Sequence, residues 1–376
     1  MSYSPGLKDV VAAETRLSHV DGEAGILVIG GYPLEEIAER ATYEEMVYLL
    51  WHGRLPTEAA LEGFAGELAA SRPLPGVTHD LLRGAAKERR PVIDVVRMAA
   101  ASLPSIDDTA DARSLVAGLP TIVAAYWRLL HGKEPVAPDA SLGHAANLLY
   151  MLDGENPGGD RVRALTTYLN TVIDHGMNAS TFTARVIVST RSDFVSAVSG
   201  AISALKGPLH GGAPGPVISM LEAIGDADNA ESYLRERLES GERLMGFGHA
   251  VYRVRDPRAD VLSRAARAFF DHEDDDREDD LYDLYDLAVH VEKTALELLE
   301  EYKPGRRLQT NVEFYTALLL KGLGLHPDLF TPMFAVGRVA GWTAHCIEQR
   351  AVDRIFRPES LYSGEMARQW TPRDER

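Results

Sequence analysis

The sequence of 376 residues predicts a mainly α-helical protein, and three observations support that fold class. Beyond residue 35, no segment shows the sustained two-residue alternation that a large sheet needs. Instead, apolar segments with helical spacing follow one another, separated by short polar, Pro or Gly breaks. The clearest strand signal is residues 26–29 (ILVI), bounded by Gly25 and by the pair Gly30 and Gly31. This pattern predicts a small β hairpin near the N-terminus.

Helix start and stop signals predict the remaining elements in order. Residues 42–45 (TYEE) form a capping box that opens a helix, which ends at Gly53. The acidic run 271–280 (DHEDDDREDD) is expected to be a solvated loop without chemistry. The other predicted helices cover residues 57–71, 91–103, 110–131, 142–152, 161–174, 217–224 and 281–302, with further starts at Asp256-Pro257, at Asn311 and at Thr331-Pro332.

Charge and cysteine content limit the class of protein. The formal net charge is −17, and only seven of the 39 basic residues are Lys. Such a surface suits either a salt-adapted organism, where hydrated carboxylates favour solubility, or an ordinary acidic cytosolic protein. No basic stripe is present, so no nucleic-acid partner is expected. The single cysteine, Cys346, excludes an internal disulfide and favours a reducing cytoplasm.

The length suggests roughly two domains. The N-terminal residues lack the charged start and apolar run of a signal peptide. No run of 18 apolar residues exists, so no transmembrane helix is expected, and no membrane partner is predicted. Neither metal-ligand spacing nor a phosphate-binding glycine motif is found, and no metal is predicted.

Residues 244–258 (LMGFGHAVYRVRDPR) contain the first candidate for chemistry, His249. Gly246 and Gly248 leave bare backbone beside this ring, so that a ligand can approach both. The arginines that follow suit a carboxylate or a phosphate; they are Arg253, Arg255 and Arg258. The alternative is a glycine-rich surface turn before an ordinary helix.

A second histidine, His210, lies among glycines and prolines in residues 206–216 (KGPLHGGAPGP). The apolar run 217–224 predicts a helix, so His210 is expected near its N-terminus, where the dipole disfavours imidazolium. A neutral His210 can donate a hydrogen bond to a carbonyl group. The alternative is a capping histidine without a substrate.

A carboxylate and an arginine complete the candidates. Glu313 is expected at the second helical position after the Asn311 cap, where a glutamate also occurs simply because it suits the helix dipole. Arg338 lies in an apolar helix (FAVGRVAGW) and therefore needs a buried carboxylate, from the protein or from a ligand. Together with the two histidines, these residues suggest proton abstraction next to a carbonyl on an anionic substrate.

The sequence resembles citrate synthase, of the shorter type found in archaea and many bacteria, over nearly its whole length. The GFGH…DPR pattern of residues 246–258 is highly specific to that family. The other motifs that support the resemblance, in chain order, are VDGEAGILVIGGYPLEEIA, NASTFTARVIVST, KGPLHGGA, NVEFYTALLLKGLG, GRVAGWTAHCIEQR and RPESLY.

The resemblance implies an almost wholly helical homodimer with two domains. The large domain would comprise residues 1–210 and 321–376, and the small domain residues 211–320. The active site would lie in the cleft between them, and closure over oxaloacetate would create the acetyl-CoA site. Acetyl-CoA is then a co-substrate, and no permanently bound cofactor is expected.

The resemblance also assigns roles to the candidate residues. His210 would stabilise the enol of acetyl-CoA, Glu313 would take the methyl proton, and His249 would polarise and protonate the oxaloacetate carbonyl. Citryl-CoA would then be hydrolysed to citrate and CoA. The substrate carboxylates would be held by His175, Arg258, Arg338 and, from the other subunit, Arg357. CoA would lie along Met245, Gly246, Phe247 and Gly248, with its phosphates near Arg255, Arg306 and Arg307.

One residue departs from the family pattern, because the base is normally the aspartate of an NVDFY-type motif and Glu313 stands in its place. The longer side chain moves the carboxylate by ~1 Å or more, which can lower the rate roughly 10²-fold unless the backbone retreats. Three interpretations stay open: a compensated natural variant, a paralogue of low activity, or an engineered substitution. If the site is built for aspartate, Glu313→Asp raises turnover sharply.

Two other functions compete with citrate synthase. A 2-methylcitrate synthase uses propionyl-CoA with the same motifs, and one methylene in an apolar pocket is worth only ~1–3 kcal/mol. A non-catalytic protein that binds CoA or oxaloacetate is the alternative suggested by Glu313. Thiol release from the two acyl-CoA substrates distinguishes these possibilities.

Overall fold

The computed structural model of the chain describes residues 3–211, 214–249, 251–271 and 280–376. Over these residues the protein consists of α-helices and one small sheet, which confirms the predicted fold class. The helices, α1 to α16 in chain order, are Leu34–Ile37, Tyr43–His52, Glu58–Ala70, Gly76–Lys87, Val92–Ala100, Asp108–Leu130, His144–Asp153, Gly159–Val172, Ala179–Ser189, Phe194–Leu205, Pro214–Ile224, Ala227–Glu239, Pro257–Asp271, Asp280–Tyr302, Val312–Gly322 and Phe330–Val352.

The sheet contains the predicted hairpin. Strand β1, Ser18–Asp21, pairs antiparallel with β2, Ile26–Ile29, and the short strand β3, Tyr32–Pro33, pairs with β2. Alternate residues of β2 are fully buried, because one face of the hairpin covers the helical body. The hairpin is therefore anchored to the helices by one face and leaves its turn, residues 22–25, free to contact other segments.

Local capping explains where several helices begin and where α2 ends. The Thr42 hydroxyl accepts a hydrogen bond from the Glu45 amide, and the Glu45 carboxylate accepts one from the Thr42 amide, so the predicted capping box is present at the start of α2. Gly53 ends this helix in the left-handed conformation, at φ 71°. The predicted starts at Thr57, Pro91 and Asn311 are also found as N-caps.

Some bounds differ from the prediction. Helix α6 begins earlier than residue 110, because the side chain of Asp107 caps it. Helix α8 ends at Val172, two residues before the predicted end. Helices α1, α4, α9, α10 and α12 were not predicted. The acidic run 271–280 lies mostly outside the described residues, since residues 272–279 are not among them.

Helix α16 is the central element of the core. It packs against α2, α5, α6, α8, α9 and α10. Two glycines on its surface allow a close approach to the end of α8: a Cβ on Gly337 would lie 2.5 Å from a methyl group of Val172, and one on Gly341 would lie 2.8 Å from the carboxylate of Asp174. Arg338 is consequently held beside the segment that follows α8.

Helices α11 to α15 form a second group that packs mainly within itself, through α11 with α15, α12 with α14, and α13 with α15. Helix α13 also packs against α8, which joins this group to the core around α16. The division into residues 1–210 with 321–376 and residues 211–320 stays a prediction. No described helix is both long and apolar enough to cross a membrane.

Candidate active site

The loop that carries His249 is fixed to the start of α15, the helix that carries Glu313. The amide of Asn311 donates to the carbonyl of Gly246 (2.9 Å), and the Asn311 side-chain amide donates to the carbonyl of Gly248 (2.8 Å). Gly246 has φ 85°, and a Cβ there would lie 2.7 Å from the ring of Phe314, so only glycine fits. The two predicted motifs therefore form one rigid unit.

The hydrogen bonds around His249 determine its tautomer. Its Nδ1 accepts from the backbone amides of Val251 (3.0 Å) and Tyr252 (3.1 Å). The ring proton must then be on Nε2, which lies 3.3 Å from Nη2 of Arg258. Both of these atoms carry protons, so an oxygen acceptor placed between them would satisfy both. Burial, and secondarily Arg258, lowers the pKa of His249 to about 4, so the ring is neutral at pH 7.

Arg258 is buried and paired with a carboxylate that sequence reasoning missed. Its Nη2 lies 2.7 Å from Oδ2 of Asp256, and its Nε lies 3.0 Å from Oδ1. Asp256 also caps α13, since its Oδ1 accepts from the Arg258 amide. The local Asp-Pro-Arg signal predicted the helix start, but not that the same aspartate holds the arginine side chain.

Arg338 is the clearest unsatisfied cation of the site. Its side chain is buried, Nε donates to the carbonyl of Val172 (2.5 Å), and the guanidinium lies 4.6 Å from the centroid of the Phe334 ring. Among the described residues, Nη2 has no hydrogen-bond partner. Burial lowers the pKa of Arg338 to about 10, although Asp174 opposes this effect. The predicted buried carboxylate is thus nearby, but one nitrogen is left for an anionic ligand.

His175 lies close to His249 and within electrostatic reach of both arginines. Its ring centroid is 5.6 Å from that of His249, and its Nε2 lies 3.1 Å from the hydroxyl of Tyr252. Burial, followed by Arg258 and Arg338, lowers the pKa of His175 well below its usual value. It can therefore offer a neutral hydrogen-bonding ring beside two cations.

A buried polar network supports this side of the site. The carboxylate of Asp174 lies 3.1 Å from Nε2 of His345, whose Nδ1 accepts from Nε of Arg185 (2.9 Å). Arg185 in turn is paired with Glu348. Burial alone would raise the pKa of Asp174, but His345, Arg338 and Ser18 lower it below its usual value. Asp174 is thus a fixed negative charge behind Arg338.

Glu313 lies at the second position of α15, as predicted, with its amide capped by the side chain of Asn311 (3.0 Å). Burial raises the pKa of the Glu313 carboxyl to about 7, while Arg258 and Arg338 lower it and Asp256 raises it further. These shifts show that Glu313 shares its electrostatic surroundings with both arginines. A carboxyl group with this pKa can accept a proton near neutral pH.

His210 lies in a turn after α10, and its Nε2 is 2.8 Å from the hydroxyl of Ser180. Ser180 also contacts Asn178 Oδ1 (2.8 Å) and accepts from the indole of Trp342 (3.1 Å). Burial, followed by Arg338, lowers the pKa of His210 to about 4. Burial and Arg338 therefore support the predicted neutral state, and α11 starts at Pro214, after His210.

The residues predicted to contact CoA are more dispersed. Met245 lines a cleft of about 620 Å³ between α11, α12 and residues 327–328, and the same cleft contains Arg237 and Arg243, which the sequence did not suggest. Phe247 and Gly248 are partly buried next to Gln309 and Thr310.

The three arginines predicted near the CoA phosphates differ in availability. Arg255 is half-buried and paired with both Asp260 and Glu292, so its charge is already matched. Arg306 is exposed, and Arg307 is exposed with Glu23 at 3.3 Å. Arg357 is also exposed, in the segment after α16.

The network residues were missed because their contacts are remote in sequence. Ser180 and His210 are 30 residues apart, and Asp174 and His345 are 171 apart. The only local signal was that Asp174 precedes His175. Among the described residues, no group of three or more metal-binding side chains lies together.

The chain is similar in sequence to known enzymes over nearly its whole length. The family model described as "Citrate synthase, C-terminal domain" matches residues 6–359. The chain is 41% identical to the citrate synthase of Haloferax volcanii over 385 residues, covering 99% of this chain and 98% of the relative. It is also 39% identical to the 2-methylcitrate synthase of Mycobacterium tuberculosis over 367 residues, covering 96% and 90%.

Two solved structures are similar over the whole chain. Citrate synthase from Thermotoga maritima superposes with a TM-score of 0.86 at 36% identity, covering 99% of this chain and 98% of the other. The citrate synthase of Thermoplasma acidophilum, solved as a ternary complex with carboxymethyl coenzyme A and oxaloacetate, superposes with a TM-score of 0.90 at 29% identity, covering all of both chains.

Proposed function

Because the chain belongs to the citrate synthase family, we propose that the side chains around His249 condense acetyl-CoA with oxaloacetate. The protein is an acyltransferase of the citric acid cycle, and citryl-CoA is hydrolysed to citrate and CoA. One observation carries the proposed geometry: a buried guanidinium with a free nitrogen, Arg338, lies beside a second buried arginine and two neutral histidines. A small dianion with a carbonyl group matches that set.

Oxaloacetate binds through its carboxylates to Arg338, Arg258 and His175. Nη2 of Arg338 is available without breaking an existing hydrogen bond. Arg258 keeps its bonds to Asp256 and turns the remaining donor toward the ligand. The carbonyl oxygen accepts from Nε2–H of His249, the proton position that the backbone amides enforce.

Proton abstraction uses Glu313 and His210. The Glu313 carboxylate takes a proton from the methyl group of acetyl-CoA, for which a pKa of about 7 is suitable. His210 donates to the thioester oxygen and so stabilises the enol. The Ser180 hydroxyl has one proton, which it donates to Oδ1 of Asn178; when it turns to donate to Nε2 of His210 instead, the ring proton is on Nδ1, which then becomes the donor.

Acetyl-CoA enters along Met245, Gly246, Phe247 and Gly248. The cleft of about 620 Å³ next to Met245 is large enough for part of a nucleotide, and Arg243 supplies positive charge, whereas Arg237 is already paired with Glu242 in the same cleft. Arg306 and Arg307 are exposed and so accessible to phosphates. Arg255 is the weakest of the phosphate candidates, because two carboxylates already neutralise it.

The protein acts as a homodimer in which Arg357 completes the partner's site. The segment after α16 exposes large apolar side chains that a second copy would cover; they are Ile355, Leu361, Tyr362, Met366 and Trp370. Residues 211–320 close as a small domain over oxaloacetate. A cytoplasmic location agrees with the single cysteine.

A 2-methylcitrate synthase activity is the second candidate, because the identity to such an enzyme, 39%, is close to the 41% found for a citrate synthase. The two reactions share every residue named above. Only the pocket for the acyl methyl group distinguishes them.

Calorimetric titration with oxaloacetate tests the proposed site. Arg338→Gln is expected to weaken binding at least about tenfold, because a charged hydrogen bond to a carboxylate is lost. Arg350→Gln is the matched control: it lies on the same helix and is bonded to Asp108 and the Ser192 carbonyl. Equal binding by both variants would contradict the assignment of Arg338.

A further inference from the structure

The N-terminal hairpin contacts two segments that carry proposed site residues. Its first strand, β1, reaches the segment around His175 through Ser18. Its turn reaches the segment after His249 through Gly22. Neither Ser18 nor Gly22 is proposed to touch a substrate. Their contacts with the two segments come from the hairpin and not from the helical core.

Ser18 is bonded to the residue on each side of His175. Its hydroxyl donates to Oδ2 of Asp174 (2.5 Å) and accepts from the amide of Gly176 (2.8 Å). Gly176 has φ 57°, so the chain turns sharply directly after the histidine. A single side chain from β1 therefore fixes the backbone on both sides of His175.

Gly22 is in contact with the peptide that orients His249. Its carbonyl accepts from the amide of Arg253 (2.8 Å). A Cβ on Gly22 would overlap the Val251 carbonyl group and lie 2.8 Å from its carbon. That carbonyl and the Tyr252 amide belong to one planar peptide unit, and the Tyr252 amide donates to Nδ1 of His249 (3.1 Å). A displacement of the Val251 carbonyl therefore also displaces the Tyr252 amide, which orients the His249 ring.

We propose that Ser18 and Gly22 are positioning residues, through which the hairpin holds His175 and His249 in their reactive arrangement. The inference rests on the roles proposed above for the two histidines. Relief of the overlap at Gly22 requires a shift of roughly 1 Å, since carbon atoms in contact are about 3.5–4.0 Å apart. A displacement of this size near the reacting atoms can lower the rate about 10²-fold.

Two substitutions test the proposal. Gly22→Ala adds no backbone strain, because Gly22 does not have a positive φ. It is expected to lower kcat/KM for oxaloacetate by at least about tenfold. Ser18→Ala is expected to raise the KM and the calorimetric Kd for oxaloacetate at least about tenfold with an unchanged KM for acetyl-CoA, and Ser18→Thr, which keeps the hydroxyl, to restore both.

Matched controls separate positioning from stability. Gly84→Ala, on α4, adds a Cβ that meets open space. Thr343→Val, on α16, removes the buried hydroxyl that accepts a hydrogen bond from the indole of Trp51 on α2. Kinetics and oxaloacetate binding of Gly22→Ala and Ser18→Ala that match those of the controls would overturn the proposal. Loss of catalytic efficiency and of oxaloacetate binding in the two hairpin variants, at Tm values equal to those of the controls, would support it.

Failure of the proposed function gives a different result. A wild-type protein that releases no thiol from acetyl-CoA contradicts the function, while oxaloacetate binding still reports on the hairpin. An active wild type whose hairpin variants behave as the controls contradicts only the positioning role.

Discussion

Shortening or neutralising Glu313 tests whether it is the working base. The backbone that carries Glu313 is held in place by its neighbours. Asn311 bonds the start of α15 to the carbonyls of Gly246 (2.9 Å) and Gly248 (2.8 Å), and Phe314 fills the space next to Gly246. The backbone cannot retreat without breaking these contacts. Glu313→Asp therefore draws the carboxylate back by about one C–C bond, ~1.5 Å.

A retraction of that size is expected to lower kcat by about 10²-fold. Glu313→Gln removes the base while keeping the shape, and the expected loss is about 10²–10⁴-fold. The assay is thiol release from acetyl-CoA at saturating oxaloacetate. Glu44→Asp, the same shortening at a buried glutamate that caps α7, is the control for stability.

The outcomes discriminate between the interpretations of Glu313. A higher kcat for Glu313→Asp would refute the reasoning and show a site built for aspartate. An unchanged kcat for Glu313→Gln would show that this carboxylate is not the base. We expect a lower kcat in both variants, with the larger decrease for Glu313→Gln.

Three further predictions concern pH, tautomer and packing. Because the pKa of Glu313 is raised to about 7, its carboxyl group is protonated and inactive as a base below this pH. We therefore expect kcat/KM to fall about tenfold per pH unit below pH 7. The pH profile of Glu313→Gln is expected to lack this acidic decrease. Ser180→Ala removes the partner of His210 Nε2 and is expected to lower kcat roughly tenfold with an unchanged oxaloacetate Kd; a changed Kd alone would contradict the assignment. Gly341→Ala overpacks the contact of α16 with α8 and is expected to lower stability by about 1–3 kcal/mol in denaturant unfolding, whereas Gly66→Ala, whose Cβ meets open space, is not; equal midpoints would contradict this packing.

The sequence predicted elements whose signals are local. The capping box at Thr42 and the Asn311 cap depend on residues within three positions, so the starts of α2 and α15 and the place of Glu313 could be read directly. The hairpin was predicted because its apolar strand is bounded by glycines. The candidate residues themselves came from glycine spacing and family motifs.

Properties that depend on remote contacts could not be predicted. The pKa of His210 is lowered by burial and by Arg338, which is 128 positions away, and neither cause is visible in the residues around His210. Arg258 was expected to hold a substrate carboxylate, but its pairing with Asp256 was not foreseen. Arg338 was expected to meet a buried carboxylate from the protein or from a ligand; the backbone carbonyl of Val172 accepts from its Nε, Asp174 acts on it electrostatically, and Nη2 is left for a ligand.

Thiol release from acetyl-CoA and from propionyl-CoA, each with oxaloacetate, tests the central claim most directly. Measurement at low and at multimolar KCl also tests the salt adaptation suggested by the net charge of −17. We expect oxaloacetate-dependent release with a higher kcat/KM for acetyl-CoA, and citrate as the product. Preference for propionyl-CoA would assign the protein to 2-methylcitrate synthesis, and no release from either substrate at any salt concentration would contradict catalysis at this site.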